Sequence, residues 1–590
     1  MTSGPDRLVP VTAAPQVPLY QRGSREEEAE AALKRTDVRR TTAWLLCGAF
    51  LLTVFSELIV QHVVCIRRHL AAGRSEPGSP TAGRTAILPR AYDVVDLLPT
   101  LDQIRAARSC RDVWNLLPPV DRIKQFETSL EEDSVISAGV MPRMQLLLCE
   151  FGGAGNEKAY CGHGHWLFYR PEVDYLTGRG FLDPAVLRQR SRGAAAVQPD
   201  PRVAIVDFNR RLKARGIDLI VMPVPCKPMI HPERFAEGFD ARSGPLQNAS
   251  YRQLREDLRS QGVLVFDDSE AMIAAKCRGG PQFLESDTHW RPEAMEAAAG
   301  RLAAFVRQHV ELGPARAACQ RQAARIENLG DIAVMLKLPA EQRFYAPQGV
   351  TIHPVVAAGG RPWQPTAGAE VLLLGDSYTN VYSVGAMGWG ECAGLAEQLA
   401  FALQCPVDRM SRNDSGAYAT REMLRNELLR GGKRLARTKV VVWEFAVREL
   451  CAGDWKTIDL PLAPSGPLTP APRGKFLELA AGRSVLARGT VAAASGPPRA
   501  NSPYKDYLMQ FHLVDLRAAD DSVLDGEQAL VFILTMKNRK ILPPARLKPG
   551  QKVTLRLAAW SDVAGKYDAL RRSELEGDLM FEPVCFGEYP

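Results

Sequence analysis

The stretch EVLLLGDSYTN, residues 370–380, decides the fold. Four apolar residues, 371–374, run without alternation into Gly375, which is the pattern of a strand buried on both faces. Glycine allows a sharp exit from the strand. Ser377 is thereby delivered to the carboxyl end of a sheet, where α/β proteins present their reactive groups. Working outward, IDLIVMPV (217–224), VLVF (263–266) and VVVWEF (440–445) read as further buried strands. Between them, helical patterns cover 202–214, 251–260, 292–310 and 421–429. Pro292 suits a first helical turn, where its missing N–H is not needed. Strands alternating with helices predict an α/β, doubly wound, mostly parallel sheet with helices on both faces.

A second stretch, ESDTHW (285–290), supplies what a serine nucleophile lacks. A hydroxyl attacks only when a base takes its proton. Asp287 and His289 lie two apart, so in an extended segment they point to one side. The carboxylate then holds Nδ1–H and leaves Nε2 as the base. GDS alone is a weak motif, and an Asp-x-His pair alone is commonly structural. Together they predict a catalytic Ser377, His289 and Asp287. An oxyanion hole would draw on the Ser377 backbone N–H and on Tyr378, Asn380 or Tyr382.

The segments PVPCKPMIHPERF (223–235), DTHWRPEAMEAAA (287–299) and LLLGDSYTN (372–380) together resemble the alginate O-acetyltransferase family, SGNH-hydrolase-like proteins of the AlgJ and AlgX type. GHWLFYRPEVDYLTG (164–178) is similar to that family's entry motif, and VVVWEFAVREL (440–450) to its closing strand. The resemblance covers roughly residues 140–452. It implies an SGNH-like domain in which Asp-x-His precedes the serine, and no metal or nucleotide cofactor. It also implies a polysaccharide acceptor and an acetyl donor delivered by a polytopic membrane O-acyltransferase. Lys227, Arg421 and Arg448 match family-like positions as substrate-binding or ion-pairing residues. The implied function is O-acetyl transfer to an exported, alginate-like polysaccharide through an acetyl-serine. The alternatives on the same fold are an acetyl-esterase and a non-catalytic scaffold of a secretion complex.

The remaining chain sets the frame. Its 590 residues carry a formal charge of +7 and no dense basic stripe, which argues against nucleic acid as a partner. Residues 1–40 read as a disordered cytoplasmic tail, and 41–66 as a transmembrane helix. These expectations place the protein in the inner membrane as a single-pass chain with a periplasmic catalytic domain. Residues 67–135 read as a linker and approach segment, and 136–458 as the SGNH-like domain. A Pro-rich linker, 459–474, leads to a small β domain at 475–590, with a five-stranded OB-like barrel as one form. Trp560 and Tyr567 there are candidates for sugar stacking, or core residues. Of the 12 cysteines none forms a CxxC, and the Cys161, His163, His165 group is a weak metal pattern.

Overall fold

The computed structural model describes residues 40–72, parts of 98–134, and 135–590 apart from 193–196, 241, 243, 315–317, 430–431, 462–474, 499–504 and short gaps beyond 520. The chain divides into two compact units, 1–139 and 140–590. The tail 1–39 and most of both linkers lie outside the described residues.

In the first unit, helix α1 (Arg40–Ala72) forms over the expected span. Its Trp44, Leu45, Phe50, Leu52 and Ile59 side chains are exposed, while the side chains at 53–58 lie outside those described. The expected transmembrane helix is not found: among the described residues, no helix is long and apolar enough to cross a membrane.

The second unit is built on a sheet of five parallel strands. These are β1 (Asp218–Val224), β2 (Leu264–Val265), β3 (Val371–Gly375), β4 (Val407–Ser411) and β5 (Val440–Ala446). Their spatial order is β4-β3-β5-β1-β2. Every residue of β3 and β5 is buried, as central strands covered on both faces must be. Helices α2 (Pro201–Lys213), α3 (Tyr251–Ser260), α4 (Pro292–His309), α5 (Leu395–Leu403) and α6 (Ala419–Leu429) surround the sheet. On one side α2 packs on β1 and α3; elsewhere α4 packs on α5, and α6 on β3 and β4. The order reverses direction between β1 and β5, so the carboxyl ends of β1, β3, β4 and β5 face one crevice.

The predicted helices and strands of this region all form, with ends shifted by a residue or two. Strand β4 is an addition that VDRMS does not announce, because its charges at Asp408 and Arg409 interrupt the apolar run. Asp408 is buried and offset by Arg434 at 2.9 Å.

The C-terminal β domain is a closed barrel. Strands β6 (Ser484–Ala494), β7 (Tyr507–Ala518), β8 (Ala529–Lys537), β9 (Lys552–Ala559) and β10 (Val584–Glu588) close in the order β6-β7-β8-β10-β9-β6. Only the β8–β10 pair is parallel. This is the five-stranded OB-like arrangement expected from the sequence. Period-two alternation divides its side chains. Phe511, Leu513, Val531 and Ile533 fill the interior, while Leu508 and Phe532 face outward with Tyr567 and Phe586. Val384 and Ala386, from the loop after Ser377, pack against this outer apolar face. Trp560 lies 5.0 Å from Phe532 and Tyr567 lies 4.7 Å from Phe586, ring to ring, so both take the core role.

Candidate active site

The turn after β3 is locked by hydrogen bonds before any chemistry is considered. The Asp376 carboxylate accepts from Tyr378 N and from Ala446 N, each at 2.9 Å, tying the turn to the end of β5. Glu444, buried within β5, accepts from Asp376 N at 2.9 Å and from Thr379 Oγ1 at 2.7 Å. Burial, with the nearby Asp376 charge, pushes the Glu444 carboxyl well up. At Gly375 a Cβ would stand 2.1 Å from Thr379 Oγ1, so no larger residue fits there. Ser377 then opens a single helical turn, Ser377–Asn380, and is buried.

The ESDTHW segment is bent rather than extended. Phe283 and Trp290 form a bridge, with Leu284 N donating to His289 O at 3.1 Å. Within the bend Asp287 Oδ1 accepts from both His289 N (3.0 Å) and His289 Nδ1 (2.7 Å). Asp287 thus meets His289 through a turn instead of a strand. Asp287 Oδ2 accepts from Trp389 Nε1 at 2.8 Å and Asp331 N at 2.9 Å. Four donors thus occupy the carboxylate's four lone-pair positions. Burial works to raise the Asp287 carboxyl, but the bond and charge of His289, with Trp389, outweigh it and hold the group at about 2. For His289 burial works against the charged form, yet the Asp287 bond and charge win and raise it above the ordinary imidazole value. His289 Nε2 is buried and has no hydrogen-bond partner.

Four contacts join this bend to the Ser377 turn. The His289 and Tyr378 rings meet at 4.9 Å. Trp290 Nε1 donates to Tyr378 O at 3.2 Å, Tyr378 Oη to Thr288 O at 3.1 Å, and Tyr382 Oη to Trp290 O at 2.6 Å. The imidazole thus packs on the residue that follows Ser377.

The other sequence candidates separate. Tyr378 and Tyr382 spend their hydroxyls on these carbonyls, and Asn380 is bonded to Asn413 (2.7 Å) and Ser411 (2.8 Å). All three are buried, because the turn after Ser377 winds inward, so none presents a free oxyanion donor. Lys227 is fully buried and donates to Leu167 O (2.7 Å) and Glu285 O (3.1 Å). Burial lowers its ammonium to about 8. It fastens the entry hairpin to the ESDTHW bend and does not face substrate. Arg421 is buried over the Trp443 ring at 4.6 Å and donates to Ala417 O (2.6 Å) and Lys456 O (3.1 Å). It closes the domain, and so does Arg448, whose guanidinium meets Glu172 at 3.0 Å.

Three residues escape the sequence reading. Asp331 accepts from Thr288 N (2.7 Å) and Thr288 Oγ1 (2.8 Å); burial and the Asp287 charge raise it to about 6. Glu172 is buried, and its Oε1 accepts from Tyr378 Oη at 3.1 Å. Asn413 follows β4 directly, beside the nucleophile turn, where Arg412 N donates to Gly375 O at 3.0 Å. The signals that could find them are a charge set in an apolar context for Glu172 and a polar RND run after a strand for Asn413. Asp287, His289 and Asp331 lie close enough to hold a cation, but the four donors on Asp287 point to a hydrogen-bonded cluster. Cys161 lies 3.4 Å from Tyr345 Oη and the His165 ring 4.7 Å from Phe344, and these residues form no metal-binding group among the described residues.

Residues 160–447 match the family model described as SGNH hydrolase-like domain, acetyltransferase AlgX. The resemblance to the AlgJ and AlgX type therefore holds for this domain. Among curated proteins, the chain is 26% identical over 245 residues to "Probable alginate O-acetylase AlgJ" of Pseudomonas aeruginosa, covering 41% of this chain and 61% of that one. The counterpart from Pseudomonas putida is 27% identical over 268 residues, covering 44% and 65%. The chain thus spans under two thirds of these relatives' length. Among solved structures, it aligns with the O-acetyltransferase domain of Pseudomonas putida AlgJ at 23% identity and a TM-score of 0.38, over 51% of this chain and 93% of that one. Pseudomonas aeruginosa AlgX aligns at 16% identity and 0.36, over 69% and 92%.

Proposed function

We propose that this protein is an O-acetyltransferase acting on an exported, alginate-like polysaccharide, with Ser377 as nucleophile, His289 as base and Asp287 as the group that orients it. One observation carries the reading: His289 has Nδ1 pinned by Asp287 at 2.7 Å, while Nε2 is buried and unpartnered beside the Ser377 turn. In the first half-reaction Nε2 takes the Ser377 proton as Oγ attacks the acetyl carbonyl; the donor's leaving group departs with that proton. In the second, a sugar hydroxyl loses its proton to Nε2 as its oxygen attacks the acetyl carbon, and Nε2 returns that proton to Oγ as the bond from the acetyl to Oγ breaks. The Ser377 N–H is the candidate to receive the oxyanion. Acetyl transfer rather than hydrolysis depends on excluding water from the acetyl-serine, for which the burial of Ser377 and His289 is favourable.

The donor side calls for a polytopic membrane O-acyltransferase, and α1, with its exposed apolar side chains, is the segment suited to hold the protein at the inner membrane. The test is Ser377→Ala in cells that make the polymer. Loss of polymer O-acetyl groups with normal protein levels supports the reading. Retained acetylation, or capture of an acetyl adduct at another residue by mass spectrometry, overturns it.

A further inference from the structure

Tyr378, the residue after Ser377, is held at both ends. Its N–H donates to Asp376 Oδ1 at 2.9 Å, its carbonyl accepts from Trp290 Nε1 at 3.2 Å, and its hydroxyl reaches Thr288 O at 3.1 Å. The hydroxyl has a second partner that no catalytic step uses. Glu172, from the short helix Arg170–Thr177, is fully buried and accepts from Tyr378 Oη through Oε1 at 3.1 Å. The same oxygen takes Arg448 Nη1 at 3.0 Å. Arg448 stands two residues past the end of β5, and its guanidinium lies 5.6 Å from the Tyr169 ring and 5.7 Å from the Tyr378 ring. Partners 206 and 276 residues away along the chain thus meet on one carboxylate oxygen. The other oxygen, Oε2, is buried with no hydrogen-bond partner.

Stability is a weak reason for such a pair. Taking two charges out of water costs about as much as their attraction returns, and apolar residues of similar volume commonly serve as well. Burial raises the Glu172 carboxyl above its ordinary range, against the pull of Arg448, and the bare Oε2 adds to the cost. What the pair supplies, and apolar packing does not, is a fixed acceptor for the Tyr378 hydroxyl. We infer that Glu172 and Arg448 are positioning residues of the acetyl-transfer site: together they hold the Tyr378 hydroxyl, and Tyr378 sets the place of both Ser377 and the His289 ring. The inference rests on the proposed roles of Ser377 and His289 and goes beyond them to what aligns the two. Ser377 and Tyr378 share one planar peptide and one helical turn, Ser377–Asn380, so a shift of Tyr378 carries Ser377 with it. The His289 ring packs on the same phenol at 4.9 Å. One side chain therefore touches the base and is bonded to the residue of the nucleophile. Glu172 is fully buried, so it acts through Tyr378 and not on substrate.

The experiment compares variants of the full chain by p-nitrophenyl acetate turnover and thermal unfolding. Glu172→Leu with Arg448→Met replaces the ion pair by apolar side chains; the protein should unfold near the parent's melting temperature. Its kcat should fall between about ten- and a hundred-fold, the cost of a small misplacement of the reacting groups, with KM unchanged. Glu172→Gln with Arg448→Met restores a neutral acceptor for the hydroxyl and should recover most of that loss. Tyr378→Phe keeps the ring and removes only the hydroxyl, so kcat should fall as far. Added to the apolar pair it should cost nothing more, because both changes remove one bond. Parental kcat per folded molecule in the apolar pair or in Tyr378→Phe overturns the inference, and so does a change confined to KM. If the apolar pair does not fold, Tyr378→Phe decides alone. Ser377→Ala in the same assay keeps the two proposals apart. Turnover lost in Ser377→Ala but parental in the Glu172 and Tyr378 variants removes the positioning role only. Turnover retained in Ser377→Ala removes the nucleophile, and the positioning role with it.

Discussion

Asp287→Asn is the sharpest perturbation of the proposed machinery. The carboxylate receives two donors on each oxygen: His289 N and Nδ1 on Oδ1, Trp389 Nε1 and Asp331 N on Oδ2. An amide has one oxygen. If that oxygen faces Trp389 and Asp331, the NH₂ meets His289 Nδ1, and the imidazole must take the tautomer that puts its proton on Nε2, where it cannot act as base. If the oxygen faces His289, the NH₂ opposes two N–H groups. The first arrangement leaves His289 N without its acceptor, and the second leaves Trp389 Nε1 and Asp331 N without theirs, at about 1–3 kcal/mol each. The catalytic loss should approach the roughly 10⁴-fold known for an Asp→Asn change in a serine triad.

The pH dependence adds a second reading. The Asp287 bond raises His289 above the ordinary imidazole value against the pull of burial. The parent's activity should thus rise with pH through a limb above about 6.5, as the neutral base forms. In the Asp287→Asn variant the carboxylate's contribution is gone and burial remains, so the limb should move to lower pH. The assay is kcat/KM for release from p-nitrophenyl acetate across pH, alongside thermal unfolding. A loss under ten-fold with an unmoved limb would refute the orienting role of Asp287.

Trp389→Phe removes one donor from Asp287 Oδ2 and keeps an aromatic body; ester turnover should fall about ten-fold, and unfolding should show a stability loss of roughly 1.5–3 kcal/mol, the worth of one charge-assisted bond. Gly330 has φ +93°, and a Cβ there would stand 2.4 Å from Ser286 O; Gly330→Ala should displace the neighbouring Asp331, reduce turnover and destabilise the fold, read by chemical denaturation. Arg421→Ala, which strips the contacts to Ala417, Lys456 and Trp443, should cost about 2–4 kcal/mol of stability but leave turnover per folded molecule unchanged. A changed KM with unchanged stability would restore it as a substrate residue.

Much of this was legible beforehand because it is local. β3 and β5 announced themselves by unbroken apolar runs, and the Asp287–His289 contact spans two residues. The rest depends on segments that meet only in three dimensions. Nothing near Lys227 in sequence says that its ammonium will be spent on the carbonyls of Leu167 and Glu285. Likewise Tyr378, Asn380 and Tyr382 are polar and follow the nucleophile, yet the helical turn buries them, which pattern reading does not reveal. Asp331 and Trp389 act on Asp287 from 44 and 102 residues away.

The outer face of the barrel has a wider consequence. It packs on Val384 and Ala386, and three residues beyond Ala386 the same loop delivers Trp389 to Asp287. One short loop therefore carries both the barrel's contact with the sheet domain and the indole that holds Asp287. By the same link, a barrel transplanted from a relative would have to reproduce this one apolar footprint, whatever else it binds.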